Sequence, residues 1–422
     1  MRFSTSLSSA ALSLTALSSA VSGLVISKPV EVSALEARAF EYIVKPKVFI
    51  VSMFKPEQDI WFGIPEFDIL GLNITVPGLS PLFPDVHCTE DGEVCQVVTG
   101  ESEINAAVTI GSLVRSPRFD LASTYWLIAG IGGGNPEHTT LGSVTFAKYA
   151  VQVALQYEFD PREIEANFST GYVPLGSTTP DEYPQNIYGT EVFELNENLQ
   201  KMAANFARNA TLNDSTDAIA YRAMYAASDA YKAATAGPGI NLCDVATSDV
   251  YYSGTILSEA FSNFTTLMTN GSGIYCSTAE EDNATLEALL RAAVEKSVDF
   301  SRIINMRTIS DFDRPYPGEA ATYNLFYAAQ GGFEPAIANI YLAGVKVVEG
   351  ILHGWNSTFA HGVNATNYVG DIFATLGGEP DFGPGAPQEG GGTALKRDLE
   401  SGRRMRRSSS GKRYMPVHIG RV

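Results

Sequence analysis

The stretch SRIINMRTISD, residues 301–311, decides the fold. Its apolar run through Ile303, Ile304 and Met306 reads as a buried strand, and the strand ends on the pair Ser310-Asp311. A lone carboxylate at the end of a strand has two readings. It is a helix cap, or it faces a ligand, because open α/β sheets bind ligands beyond the carboxyl ends of their strands.

Upstream, TAEEDNATLEALLRAAVEKS (278–297) reads as a helix that starts on Glu280, Glu281 and Asp282, where the macrodipole favours negative charge. STYWLIAGIGGG (123–134) reads as a buried strand running into a glycine loop formed by Gly130, Gly132, Gly133 and Gly134. KVFIVSMF (47–54) is a first buried strand and EVCQVVTG (93–100) a second. Between them, SMFKPEQDIW places Glu57 just after the first strand, where a surface loop acid is the plain reading. ESEINAAVTIGSLVRS (101–116) has helical periodicity, with Ile104, Ala107, Val108 and Leu113 expected on its apolar side. GSVTFAKYAVQVALQY (142–157) and DVYYSG (249–254) read as strands, and residues 334–354 as a final helix. Residues about 190–235 are Ala-rich and read as a helical insertion. Strands alternating with helices predict an α/β domain over residues 45–377.

The remaining motifs exclude the commonest site chemistries. GIGGGNP has Asn135 where a dinucleotide fingerprint needs a third glycine, and no P-loop, G-x-S-x-G or H-E-x-x-H occurs. No Cys or His spacing suggests zinc, so no metal and no cofactor are expected. The 422 residues carry a formal net charge of −18, and the tail 395–422 is basic, so the preceding chain is more acidic still. Such a body repels nucleic acid and anionic membrane surfaces.

MRFSTSLSSAALSLTALSSAVSG (1–23) reads as a signal peptide, followed by a leader segment over 24–44. No integral membrane span is expected. AIANIYLAGVKVVEGILHGW (336–355) is interrupted by Lys346 and Glu349 and fits an amphipathic core helix better. Four cysteines fit an oxidising compartment, with Cys88 and Cys95 flanking a short loop and Cys243 and Cys276 left to pair. Nine N-x-Ser/Thr sequons add to a reading as a secreted glycoprotein, extracellular or in the cell wall. Residues 378–422, Gly/Pro-rich and then basic, are expected to be a disordered tail.

The segments VVTGESEINAAVTIGSLV, STYWLIAGIGGG, YYSGT, TAEEDNAT and RTISD, in this order, resemble the layout of the nucleoside phosphorylase/nucleosidase superfamily. The chain from about 45 to 375 is more closely similar to the fungal and bacterial purine nucleoside permease family. The resemblance implies a three-layer α/β/α sandwich around a mixed, partly barrel-like sheet, and a ligand that is a purine nucleoside. It implies that Asp311 protonates the purine N7, beside Ser310, and that Glu281 holds the ribose hydroxyls. The glycines Gly130, Gly132 and Gly133 would line the sugar side. It also implies a homo-oligomer, relatives ranging from dimers to hexamers.

Two segments depart from the superfamily pattern. Ser253-Gly254-Thr255 stands where relatives have Ser-Gly-Asp, and Glu280-Glu281-Asp282-Asn283 where they have Met-Glu-Gly-Ala. The second change creates a sequon at Asn283 beside the expected site, which predicts an unmodified Asn283. Phosphorylases of the superfamily carry arginines after the first strand and before the glycine loop, and neither is present in this chain. Met53 and Glu57 lie in nearly the register of a nucleosidase motif whose last Glu activates water. Hydrolysis with Glu57 as the base is therefore the expected activity. A phosphate-dependent phosphorylase, a non-catalytic uptake component and a structural wall glycoprotein remain the other readings.

Overall fold

The computed structural model describes residues 43–383 except 167. The expected signal peptide, nearly all of the leader, the sequon at Asn167 and most of the expected tail lie outside the described residues.

In chain order the strands are β1 (Val48–Ser52), β2 (Leu72–Thr75), β3 (Asp85–Cys88), β4 (Val94–Val98), β5 (Tyr125–Gly134), β6 (Val144–Ala147), β7 (Tyr149–Gln152), β8 (Gln156–Glu158), β9 (Tyr172–Pro174), β10 (Val192–Glu194), β11 (Ile240–Leu242), β12 (Asp244–Thr247), β13 (Tyr275–Ala279), β14 (Ile303–Phe312) and β15 (Gly370–Asp371). The helices are α1 (Lys55–Asp59), α2 (Glu103–Leu113), α3 (Glu197–Ala207), α4 (Thr216–Arg222), α5 (Thr255–Met268), α6 (Asp282–Val294), α7 (Ala321–Phe326) and α8 (Phe333–His353).

All strands but β8 and β9 join one mixed sheet. Its centre is β5, which runs parallel to β1 along residues 125–128 and parallel to β14 along residues 126–134. Further along, Gly134 pairs with Ser277 of antiparallel β13. The sheet branches at β14, which also pairs with β6.

Buried on both faces, the central strands divide their side chains between two cores. Phe49 and Val51 of β1, with Trp126 and Ile128 of β5, pack under Ile110 and Leu113 of α2 and Leu286, Leu289 and Leu290 of α6. Val48 and Ile50, with Tyr125 and Leu127, pack on the other face under Leu199 and Ala203 of α3 and Ile340, Val347 and Val348 of α8. This is the three-layer arrangement expected from the sequence. Helix α8 is long and apolar enough to cross a membrane, and it serves in this fold as a core helix, packed on β5 and β14.

Four details correct the sequence reading. The buried side of α2 is Ala106, Thr109, Ile110 and Leu113, while Ile104 and Val108 are 75% and 56% exposed. Its residues 106, 109, 110 and 113 also have i, i+3, i+4, i+7 spacing, with Thr109 made compatible by its Oγ1 donating to the Thr99 carbonyl. DVYYSG is a loop, not a strand. The Ser248 side chain bonds the Val250 backbone, and Asp249 turns away to accept from Glu103 N at the start of α2. The segment 190–235 opens with a sheet strand, β10, before α3, α4 and short 3₁₀ turns. Its Tyr225, Ala218 and Ala234 pack on Ile309 and Phe312 at the end of β14. Ordered chain also passes the boundary expected at 378, because Phe382 buries its ring against Tyr149 and Tyr368.

Both disulfides join as expected, Cys88 to Cys95 across paired β3 and β4, and Cys243 to Cys276. Asn283 is buried with its amide donating to Thr190 O at 2.7 Å, which leaves no access for a glycan. The other described sequon asparagines, 73, 209, 213, 263, 270, 356 and 364, are exposed.

The glycines of β5 lie inside the strand rather than in a loop, and close crossing explains them. A Cβ on Gly132 would sit 2.0 Å from the Thr278 carbonyl oxygen of β13. That neighbour is backbone and cannot swing away. Gly132→Ala is expected to destabilise the fold by about 3 kcal/mol or more, read as a lowered midpoint in urea unfolding.

Candidate active site

Strand β1 stops at Ser52, and the edge of β5 that it covered is open beyond Ile128. The chain turns there into α1, started by Pro56 in its first turn. This swings Glu57 back under the sheet, where it is 1% exposed. Its Oε2 accepts from Met53 N and its Oε1 from Ile131 N, each at 2.7 Å. The carboxylate thus takes the acceptor position that a continued β1 would have filled. Gly130 makes room beneath it, since a Cβ there would lie 2.7 Å from Glu57 Oε1 and 2.8 Å from Arg307 Nη1. Glu57 is therefore a buried site group rather than a surface acid.

Arg307, on β14, is the second element. It donates from Nη1 to Ile131 O at 2.9 Å, from Nη2 to Glu281 Oε2 at 3.1 Å, and to both carboxylate oxygens of Asp282. Glu281 precedes the first turn of α6 and is 4% exposed. Its other oxygen accepts from Ser102 N at 3.0 Å. Ser102 holds φ at +81°, a strained value for a residue with a Cβ, and that backbone aims its N–H at the carboxylate.

Asp311 is the third. The register of β14 against β5 slips at Ser310, so that Ile309 pairs with Gly132 and Asp311 with Gly133. Such a bulge re-aims the side chains that follow it. Asp311 accepts from Ser310 Oγ at 2.8 Å and from Tyr251 Oη at 2.9 Å.

These groups line one cavity of about 510 Å³. Glu57, Glu281, Ser310, Asp311, Gly132 and Gly133 all reach it; Gly130 does not, and acts by leaving space for Glu57 and Arg307. Gly133 N donates to Thr278 Oγ1, so the glycine pair serves the β5–β13 crossing as well as the cavity wall. At the Asp311 end the wall is made by Tyr251, Ser253, Asn324 and Gln330. The amides there satisfy each other: Gln330 Nε2 donates to Asn324 Oδ1, while Asn324 Nδ2 donates to Ser253 Oγ and Phe312 O. Among the described residues no group of three or more His, Cys, Asp or Glu is arranged to hold a metal ion.

Burial sets the protonation. It pushes Glu57 up to about 8, against the pull of Arg307 and of the two backbone N–H groups, with the Glu281 charge adding to the rise. Burial raises Glu281 in the same direction, opposed by Arg307. Burial also raises Asp311, offset in part by Ser310 and Tyr251. Burial thus biases all three carboxyls toward their proton-bound forms, which suits acid–base chemistry.

Sequence reading missed the hub role of Arg307, although the residue stands in the RTISD segment. It also missed Ser102 and Tyr251. Tyr251 was hidden by the strand reading of its segment, and a positive φ at Ser102 has no local signal.

A family model described as purine nucleoside permease matches residues 45–364. A purine nucleoside permease of Candida albicans is 48% identical over 347 residues, covering 81% of this chain and 84% of that protein. A protein of Schizosaccharomyces pombe carrying the same family name, qualified as probable, is 39% identical over 322 residues, covering 74% and 91%. Among solved structures, a 5′-methylthioadenosine/S-adenosylhomocysteine nucleosidase from Helicobacter pylori aligns with a TM-score of 0.43 at 13% identity, over 73% of this chain and all of that one. The Neisseria meningitidis enzyme of the same name gives 0.41 at 14%, over 73% and 99%. Likenesses at that level carry no weight for the chemistry.

The proton held by Glu57 has a consequence for stability. Folded, the group keeps its proton to about pH 8, whereas its unperturbed value is 4.5. The folded chain binds the extra proton between those values, so stability falls as pH rises through that window and levels off above it. In Glu57→Gln, proton uptake linked to folding should drop by about one over this range, read from urea midpoints against pH. The variant should also lose about 1–3 kcal/mol at pH 5, because a single amide oxygen cannot serve both Met53 N and Ile131 N.

Proposed function

The chain belongs to the purine nucleoside permease family, and on that footing we propose that it binds purine nucleosides and hydrolyses their N-glycosidic bond. One observation carries this reading. Arg307 is the single cation among the described residues lining the cavity, and its charge is engaged by Glu281 and Asp282. A phosphate nucleophile needs an available arginine or a set of free backbone N–H groups. Glu57, by contrast, faces the cavity and suits a water molecule.

In this reading the ionised form of Glu57, which gains population as pH rises toward about 8, takes a proton from water as the water oxygen bonds to C1′. Asp311, protonated, gives its proton to purine N7 as the C1′–N9 bond breaks, and free base and ribose leave. Glu281 accepts from the ribose hydroxyls, a role suited to an acceptor-only group. Its charge also opposes the positive charge that develops on the sugar. The two disulfides and the exposed sequons support assigning the protein to the secretory route.

A second reading is favoured by the names of the relatives: a nucleoside uptake component that binds without cleaving. Incubation with adenosine, inosine and guanosine, with and without phosphate, separates the cases by chromatography. The expected products are free base and ribose in both conditions, with Asp311→Asn slowing turnover by about 10³-fold. Intact but bound nucleosides would establish the uptake reading. Ribose 1-phosphate formed only with phosphate would remove Glu57 as the base that activates water.

A further inference from the structure

We propose that the cavity discriminates against 5′-phosphorylated nucleosides through Glu101 and Glu280, so that the ligand class is the free nucleoside and not the nucleotide. The inference rests on the nucleoside reading above. Six carboxyl groups reach the cavity, from Glu57, Glu101, Glu280, Glu281, Asp311 and Asp313, against the one engaged guanidinium of Arg307. Four of them have defined partners: backbone N–H groups hold Glu57, Arg307 and Ser102 hold Glu281, Ser310 and Tyr251 hold Asp311, and Arg314 with Tyr275 hold Asp313. Glu101 and Glu280 differ. Neither carboxylate accepts a hydrogen bond or forms an ion pair among the described residues. Burial, with the neighbouring charges of Glu281, Asp249 and Glu101, pushes Glu280 up to about 7 against the longer-range pull of Arg307, so at pH 8 it is mostly ionised.

Their position is built rather than incidental. Gly100 and Ser102, both at φ +81°, turn the chain sharply on either side of Glu101. The turn is fastened by Ser102 N to Glu281, by Ser102 Oγ to Asp249, and by Asn105 Nδ2 to the Glu101 carbonyl at 2.7 Å. Glu280 is held from the other side by strand β13 and the start of α6. Above about pH 7 the fold thus presents two negative charges without an ion-pair partner on the wall of a cavity whose described lining holds no free cation. At pH 8 a phosphomonoester brings nearly two further negative charges and meets repulsion from both. A neutral nucleoside does not. If the source is a nucleotide, a phosphomonoester hydrolysis has to precede this protein.

The test is calorimetric binding of inosine and of inosine 5′-monophosphate to the full chain at pH 8. Wild type should prefer inosine by about 100-fold or more, on the order of tenfold for each fixed charge. In the double variant Glu101→Gln/Glu280→Gln the ratio should narrow by tenfold or more. Glu295→Gln, which removes one exposed charge paired with Arg115 on the outer helices, should leave the ratio where it was and so separates a local effect from net charge. Glu101 is exposed and Glu280 half-buried, so the substitutions leave the core intact. Wild type binding both ligands within threefold, or a double variant with an unmoved ratio, overturns the proposal while the nucleoside reading stands. Binding of neither ligand removes the nucleoside reading and this proposal with it.

Discussion

The guanidinium of Arg307 is the constraint on which the site depends. It lies 3% exposed between Glu281 and Asp282, with Glu57 close behind Gly130. Three carboxyl groups around one buried cation cannot all be ionised without a large desolvation cost. Asp282, fully buried, takes the cation most closely, and burial holds the proton of Glu57 toward pH 8 against the pull of Arg307. Arg307 thus pulls down a carboxyl that burial pushes up, and the balance leaves Glu57 able to exchange a proton. Its strand neighbour β5 supplies Ile131, whose carbonyl accepts from Arg307 and whose N–H donates to Glu57. One residue's backbone ties the cation and the proton-exchanging acid to the same point of the sheet.

The fold is arranged to keep that point open. A sheet edge left by the short β1 would ordinarily expose unpaired backbone groups. In this chain a side chain covers it, and the next strand on that side, β13, joins β5 only at Gly134. The gap between them is the cavity. The glycines of β5 allow β13 to approach and Arg307 to pass beneath, while the slip at Ser310 turns Asp311 into the opening from the far side. The strained backbone at Ser102 holds Glu281 in place from a separate loop.

Much of this was legible in the sequence. The both-face burial of the central strands follows from continuous apolar runs such as VFIVS, which need a layer on each side. The end of β14 and the start of α6 follow from long patterns with acidic punctuation, whereas β5 runs on through glycines that read as a loop, because their close crossing with β13 has no local signal. The α2 stripe was not legible, because Thr109 counts as polar in a pattern and becomes a core residue only through its bond to Thr99. Ser102 was not legible because its backbone is held by Asp249 and Glu281, and Tyr251 because its side chain bonds Asp311, partners remote from each in sequence. Glu57 was readable as a site residue only by resemblance: Lys55, Gln58 and Asp59 around it look like surface, and its burial comes from a gap that β1 and β13 create together.

The most direct test of the account is turnover of inosine in ¹⁸O-labelled water containing phosphate, quenched early and analysed by mass spectrometry. Attack by water at C1′, with Glu57 accepting its proton, predicts one ¹⁸O in the released ribose from the first turnovers. Release of unlabelled ribose 1-phosphate, with no labelled ribose, would contradict it.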